Sequence, residues 1–157
     1  MRKLTNVLIL ISLLALMSCS KQGPIFEHYM KFDKGNWDRF NKVVFNVPID
    51  KPGESYDITL VLKPDSSFMY DAMPVYVIMN TPAGEERMKD VRIKVKDGGR
   101  IVGDSEEPSL TIKTPLWKSL PFSDKGMLII SIENMIPKIQ TPGVKELGII
   151  VEHSASK

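Results

Sequence analysis

The stretch YDITLVLK, Tyr56 to Lys63, places Tyr56, Ile58, Leu60 and Leu62 on one side of an extended chain and Asp57, Thr59 and Lys63 on the other. A repeat of two residues belongs to a half-buried β-strand and to no helix. VRIKV, Val91 to Val95, alternates in the same way, with Arg92 and Lys94 toward water. MLIISIEN (Met127 to Asn134) and LGIIVEH (Leu147 to His153) are apolar and β-branched, the composition of central strands. VVFNV (Val43 to Val47) and VYVIM (Val75 to Met79) are also β-rich, LTIK (Leu110 to Lys113) reads as a short strand, and FEHYMKF (Phe26 to Phe32) as an N-terminal one. Turn chemistry separates these runs. Pro52-Gly53 and Pro142-Gly143 suit the two central positions of a type II turn, because proline sets φ near −65° and glycine accepts positive φ. Pro82-Ala83-Gly84 turns the chain after Met79, and Asp97-Gly98-Gly99 marks a hairpin before Ile101-Val102. No segment keeps apolar residues at helical spacing for three turns. The pattern predicts an all-β fold: one antiparallel β-sandwich, of jelly-roll or Ig-like kind, over residues 25–157.

The chain of 157 residues is long enough for one sizeable core and short for two. Its 43% apolar and 25% charged residues suit a globular domain. The formal net charge is +2, and Arg2 and Lys3 account for it. The remainder is balanced, which argues against nucleic acid as a partner, since that needs a basic surplus on one face.

Arg2 and Lys3 precede VLILISLLALM, Val7 to Met17, an apolar run of eleven residues. A membrane-spanning helix needs roughly 20. A positive head, a short apolar core and a small residue at its end describe a cleaved signal segment. The single cysteine of the chain, Cys19, stands where that segment ends, in Leu16-Met17-Ser18-Cys19. This resembles the lipobox of bacterial lipoproteins: an aliphatic residue three positions before the cysteine and a small one directly before it. The resemblance implies cleavage between Ser18 and Cys19 and fatty acyl chains, palmitate among them, on Cys19. Each buried methylene contributes about 0.8 kcal/mol, so one chain holds marginally and two or three hold durably. The expected division is therefore a signal peptide over residues 1–18, a lipidated tether over 19–24 and the β-sandwich over 25–157. By analogy with enteric lipoproteins, Ser20 in place of Asp favours the outer membrane. The lack of an acidic run after Cys19 tilts the expectation toward the periplasmic face, with the cell surface as the other placement.

Little in the remaining sequence points to catalysis. His28 and His153 lie at opposite ends of the chain, and no local motif marks either as a base or a metal ligand. GDSEEP, Gly103 to Pro108, has oxygens but not the regular spacing of a calcium loop and reads as a solvated turn. KDGGRIVG has the glycines of a hairpin without the helix a phosphate loop requires. No catalytic residue, metal or cofactor is expected, and no small-molecule ligand. A binding surface has candidates in Trp37 and Trp117, which with a tyrosine could stack on sugars, and in FMYDAMP, where Phe68, Met69, Tyr70 and Met73 would form an adaptable Met-rich surface.

The order of these features resembles the gliding-motility-associated lipoproteins of the GldH type, from the Bacteroidetes. The resemblance begins at the lipobox and runs through Trp37 in NWDRFNKVVFNV and through YDITLVLKPDSSFMYDAMPVYVIM. It continues with TPAGEERMKD, KDGGRIVG and LPFSDKGMLIISIENM, and closes with PGVKELGIIVE, similar to a G-[IV]-x-x-[LV]-G-[IL] signature. It implies a membrane-anchored lipoprotein without enzymatic activity, linked to gliding and to the type IX secretion apparatus, whose partners are other envelope proteins. A glycan-binding envelope lipoprotein is the competing expectation. It requires Trp37, Trp117 and a tyrosine on one exposed face.

Overall fold

The computed structural model describes residues 23–103 and 110–155. The signal segment, Ser18, Cys19 and nearly all of the acidic stretch 103–108 lie outside the described residues. Twelve strands follow in order: β1 Phe26–Lys31, β2 Asn36–Asp38, β3 Val43–Ile49, β4 Ser55–Pro64, β5 Ala72–Asn80, β6 Glu86–Lys94, β7 Lys96–Asp97, β8 Arg100–Ile101, β9 Ile112–Pro121, β10 Gly126–Asn134, β11 Gln140–Pro142 and β12 Val144–His153. One turn of 3-10 helix, Asp33–Gly35, precedes β2.

Eight strands of six residues or more build two antiparallel sheets, ordered β1-β12-β4-β9 and β3-β10-β5-β6. If these eight alone are counted along the chain, the orders are 1-8-3-6 and 2-7-4-5. That is the wiring of a jelly roll, two interlocked Greek keys, and not that of an immunoglobulin domain. Two short pairs, β2 with β11 and β7 with β8, are added at one end. Only β5–β6 joins long strands that are neighbours in sequence; β1 pairs with β12, bringing together the two ends of the described chain.

Alternation decides which face each strand buries. In β3 the pattern is strict: Val43, Phe45, Val47 and Ile49 are buried while Val44, Asn46 and Pro48 are exposed. β5 and β10 alternate likewise and meet the inner residues of β4 and β12 in one core. β12 reads as a continuous apolar run because its outer face is covered too: Gly148 lies under the ring of Tyr29, in the register Tyr29–Gly148–Val61. The Lys63 ammonium rests 4.2 Å from the centre of that ring and 2.8 Å from Glu146.

β9 is longer than the short strand expected at residues 110–113. It runs ten residues, but its ladder with β4 shifts register between Tyr56 and Ile58 and again between Ile58 and Thr59. Those bulges break the period of two, and Pro115 is tolerated because β9 is an edge strand. At this side of the sandwich Lys89 of β6 donates to the Leu116 carbonyl of β9 at 2.6 Å and closes the gap between the sheets.

Candidate functional site

The jelly-roll wiring sorts the connections between strands by end. Short links, residues 50–54, 81–85 and 122–125, lie at the end where β1 begins and β12 finishes. Ile25 donates to Val151 O at 2.9 Å there, so the chain enters the domain at this root. The longer connections, residues 32–42, 65–71, 135–143 and the described part of 95–111, all gather at the opposite end and form a crown.

A buried polar hub holds the crown. Trp37 in β2 pairs with Thr141 in β11, and both are fully buried. The Asn134 side-chain amide donates to Thr141 Oγ1 at 2.8 Å, while its carbonyl accepts from the Ile136 amide at 2.9 Å. The Trp37 indole N–H donates to Asn41 O at 2.8 Å, and its ring stacks on Phe32 with centroids 5.1 Å apart. Every polar group of the hub thus finds a partner, which is what makes its burial affordable.

A second anchorage lies across the crown. The Asp65 amide donates to Gly143 O at 2.9 Å, and its carboxylate accepts from the Ser67 amide at 2.8 Å and hydroxyl at 2.6 Å. The Ser67 hydroxyl is the larger cause holding the Asp65 carboxyl below its ordinary range, with the Ser67 amide and the Lys145 charge assisting against burial. This turn lays Phe68 onto Gly143, and the Phe68 ring meets Tyr70 edge-on at 5.7 Å.

What the crown shows to solvent is apolar at its tips. Phe40 is 81% exposed, Met69 70% and Ile139 66%, with Met135 also exposed. The Phe40 amide is capped by Asp38 Oδ1 at 2.8 Å, and the Arg39 amide donates to Ile139 O at 2.9 Å, so Phe40 and Ile139 are carried by one continued ladder. A cleft of about 300 Å³ on the crown's flank is lined by Asp71, Ala72, Arg92, Lys94 and Lys96 and is basic. Phe40, Met135 and Ile139 were missed by sequence reasoning, since an isolated apolar residue in a turn carries no pattern.

The candidate binding residues divide. Trp37, Phe68 and Met73 are fully buried and belong to the core, so they form no binding surface. Their nearest neighbours explain this: Phe32 stacks on Trp37, Gly143 admits Phe68, and Met73 points inward from β5. Met69 is exposed at the crown and Tyr70 half-buried beside it. Trp117 is half-buried on β9, with the Lys89 ammonium 5.7 Å from its ring. Trp37 and Trp117 share no face, which removes the basis of a sugar-stacking platform.

The histidines are likewise apart. His28 lies exposed on β1, edge-on to Phe45 at 6.2 Å. His153 at the root lies 2.7 Å from Glu54 and tilts against Tyr56. Neither His153 nor Glu54 lines the root cavity of about 290 Å³, whose walls include Gly53, Pro82, Arg87 and Phe122. Among the described residues no three His, Cys, Asp or Glu side chains gather as a metal site.

Residues 24–151 match the model of the GldH lipoprotein family. The chain belongs to the GldH lipoprotein family. GldH lipoproteins are associated with gliding motility, and the family is not one of known enzymes. Membership also makes the chain a membrane-anchored lipoprotein of the cell envelope. No curated protein matches the chain. Among solved structures, a chain of the infectious bursal disease virus VP2 subviral particle is similar over 85% of this chain and 34% of its own, at 12% identity and a TM-score of 0.42. A structure of the Gx strain of the same virus is similar over 85% and 31%, at 10% identity and a TM-score of 0.32. The present chain therefore spans about a third of the length of those viral chains.

Proposed function

We propose that this GldH lipoprotein is held in the outer membrane, facing the periplasm, by acyl chains on Cys19, and that it supports the gliding and type IX secretion machinery by protein–protein contact rather than by catalysis. The observation that carries this reading is the separation of root and crown. The tether of residues 19–24 reaches at most ~20 Å when fully extended. It leads into the root, so the domain's near end stays close to the lipid. The ten-residue strands β4 and β12 add roughly 35 Å beyond it. The longer loops, with Phe40, Ile139, Met69 and Met135 at their tips, are thereby presented away from the bilayer. Exposed apolar tips ringed by polar groups are the usual anchors of protein interfaces. Lipid attachment concentrates the crown in one layer, so contacts of modest affinity become effective.

The test is photo-crosslinking in cells of the native host, with the reactive residue at Phe40 or Ile139 and a control at exposed Asp124 in the root link 122–125. Crosslinks to envelope proteins of the machinery from the crown positions, and not from Asp124, are expected. Their absence, with the chain present in the membrane fraction, would sink the reading. Fatty-acid labelling of the wild type and Cys19→Ala reads the anchor separately. Equal labelling rules it out. Protease treatment of intact cells distinguishes the two faces of the membrane: digestion places the crown at the surface.

A further inference from the structure

The two outer faces of the sandwich differ. On the β1-β12-β4-β9 sheet the outer face is polar, and Lys31 and Lys63 converge there on Glu146. On the β3-β10-β5-β6 sheet it carries Val44, Met88, Met127 and Ile129, all exposed, beside half-buried Tyr76 and Ile78. These residues are not scattered. Cross-strand pairing puts Val44, Ser131, Ile78 and Met88 in one row across all four strands. The row on the root side is Asn46, Ile129, Asn80 and Glu86. On the crown side Lys42 is joined to Glu133 at 2.7 Å, followed in the row by Tyr76 and Asp90.

We propose that this face docks on the same face of a second copy of the chain, about a twofold axis parallel to the strands. Such an axis keeps both roots at one level, and for that consequence the inference rests on the Cys19 anchor: both tethers then enter the same bilayer. It also reverses the strand order across the interface, so β3 of one copy faces β6 of the other and β10 faces β5. Each row then meets itself in reverse. Val44 faces Met88 of the second copy, and Ile78 faces its Ser131. Asn46 can donate to Glu86, and Lys42 faces Asp90, so the apolar row is bounded by polar and oppositely charged contacts. Face-to-face sheets packed about 10 Å apart accept this arrangement with the ordinary twist of aligned sandwiches.

The size of the face sets the strength. Four strands spaced about 4.8 Å apart and some eight residues tall offer on the order of 500 Å² per copy, or about 1,000 Å² in total. That is at the lower bound for a specific interface. The pair is therefore weak for a freely diffusing domain and is favoured by confinement to one membrane.

The experiment uses full-length chains in cells, with two differently tagged copies carrying Val44→Cys and Met88→Cys. A direct disulfide needs Cα atoms within ~7 Å, so a short bis-maleimide that spans the ~10 Å between packed sheets is used. It is expected to join the two tagged chains in a crosslinked dimer at least tenfold more abundantly than the control pair Val44→Cys with Lys113→Cys. Asp90→Lys placed on both copies should reduce the yield severalfold, because Lys42 then faces a like charge. A yield no higher than the control, or adducts only to proteins of other mass, overturns the proposal. Fractionation of the same samples keeps the anchor distinct. Chain found in the soluble fraction contradicts the lipid, and the dimer is scored there by the same comparison.

Discussion

Gly143 lies directly beneath the backbone of Phe68, and a Cβ on residue 143 would overlap the Phe68 amide nitrogen. Its φ is 84°, in the left-handed region that side chains disfavour. The Pro142-Gly143 pair is thus more than a turn. It is the floor on which the 65–68 turn rests, and the Asp65 amide bonded to Gly143 O fixes the two at van der Waals distance.

Gly143→Ala is expected to cost about 3 kcal/mol or more, since a backbone overlap is added to the positive-φ penalty. Gly53 provides the comparison: its φ is 82°, yet nothing lies within 4 Å of the added Cβ. Gly53→Ala should therefore cost only about 1 kcal/mol. Urea unfolding of both variants checks the difference. Equal midpoints would contradict the close approach.

Gly148 is crowded by a side chain instead. Its added Cβ would meet the Tyr29 ring and lie 3.0 Å from His28 O. Gly148→Ala should destabilise by about 2 kcal/mol in the wild type and by clearly less in a Tyr29→Ala background, where the ring is gone. A double-mutant cycle measures this coupling. Additive effects would show that the ring is not what excludes a side chain at 148.

Trp37 closes the base of the crown, and its replacement should be felt there first. Trp37→Ala is expected to lose about 4 kcal/mol, as for large aromatic side chains removed from a core. Trp37→Phe keeps most of the packing against Phe32 but leaves Asn41 O without its donor, at about 1 kcal/mol. The chain has two tryptophans, so the fluorescence of Trp117 follows unfolding in either variant.

The pH dependence has two limbs. The Ser119 amide, then the Ser154 hydroxyl, hold the Asp57 carboxyl below its ordinary range. A lowered carboxylate contributes stability above its unfolded value, near 3.9, and loses it as pH falls through the lower folded value. Asp57→Asn should flatten that acid limb. Burial, then the hydrogen bond and charge of Glu27 and the charge of Glu146, push Tyr29 up to about 12. A raised phenol contributes stability that is complete below an unfolded value of about 10 and disappears as pH rises through the folded one. Tyr29→Phe should remove the loss between those two values, as read by thermal unfolding across the alkaline range.

Much of the fold was legible locally. The run at Tyr56–Lys63 is a strand where the period of two placed it, and Met127–Asn134 and Leu147–His153 are central strands, as their apolar, β-branched composition indicated. Asp97-Gly98-Gly99 lies in the hairpin between β7 and β8, with both glycines at positive φ. β9 was only partly legible because its bulges interrupt the alternation that reveals a strand. Of the candidate surface, Met69 is exposed at the crown while Trp37, Phe68 and Met73 are interior. A large aromatic in a turn-rich segment reads the same whether it plugs a hub or faces water; Asn134, Thr141 and Phe32 decide the matter from elsewhere in the chain.

The sequence by itself determined that this chain is all β, which residues face the core in the alternating runs 56–63 and 91–95, where the turns fall, and its likeness to the GldH lipoproteins. Those are properties of neighbouring residues: alternation, proline and glycine geometry, and ordered motifs. Only the tertiary structure decided that the sandwich is a jelly roll, that the longer loops crown the end opposite the root, and that one outer face carries an apolar row between polar ones. Backbone hydrogen bonds between strands carry no residue code, so a strand's pattern states which side is buried but not which strand lies beside it. That partner comes from far along the chain, as Phe26 finds Val151 and Trp37 finds Thr141.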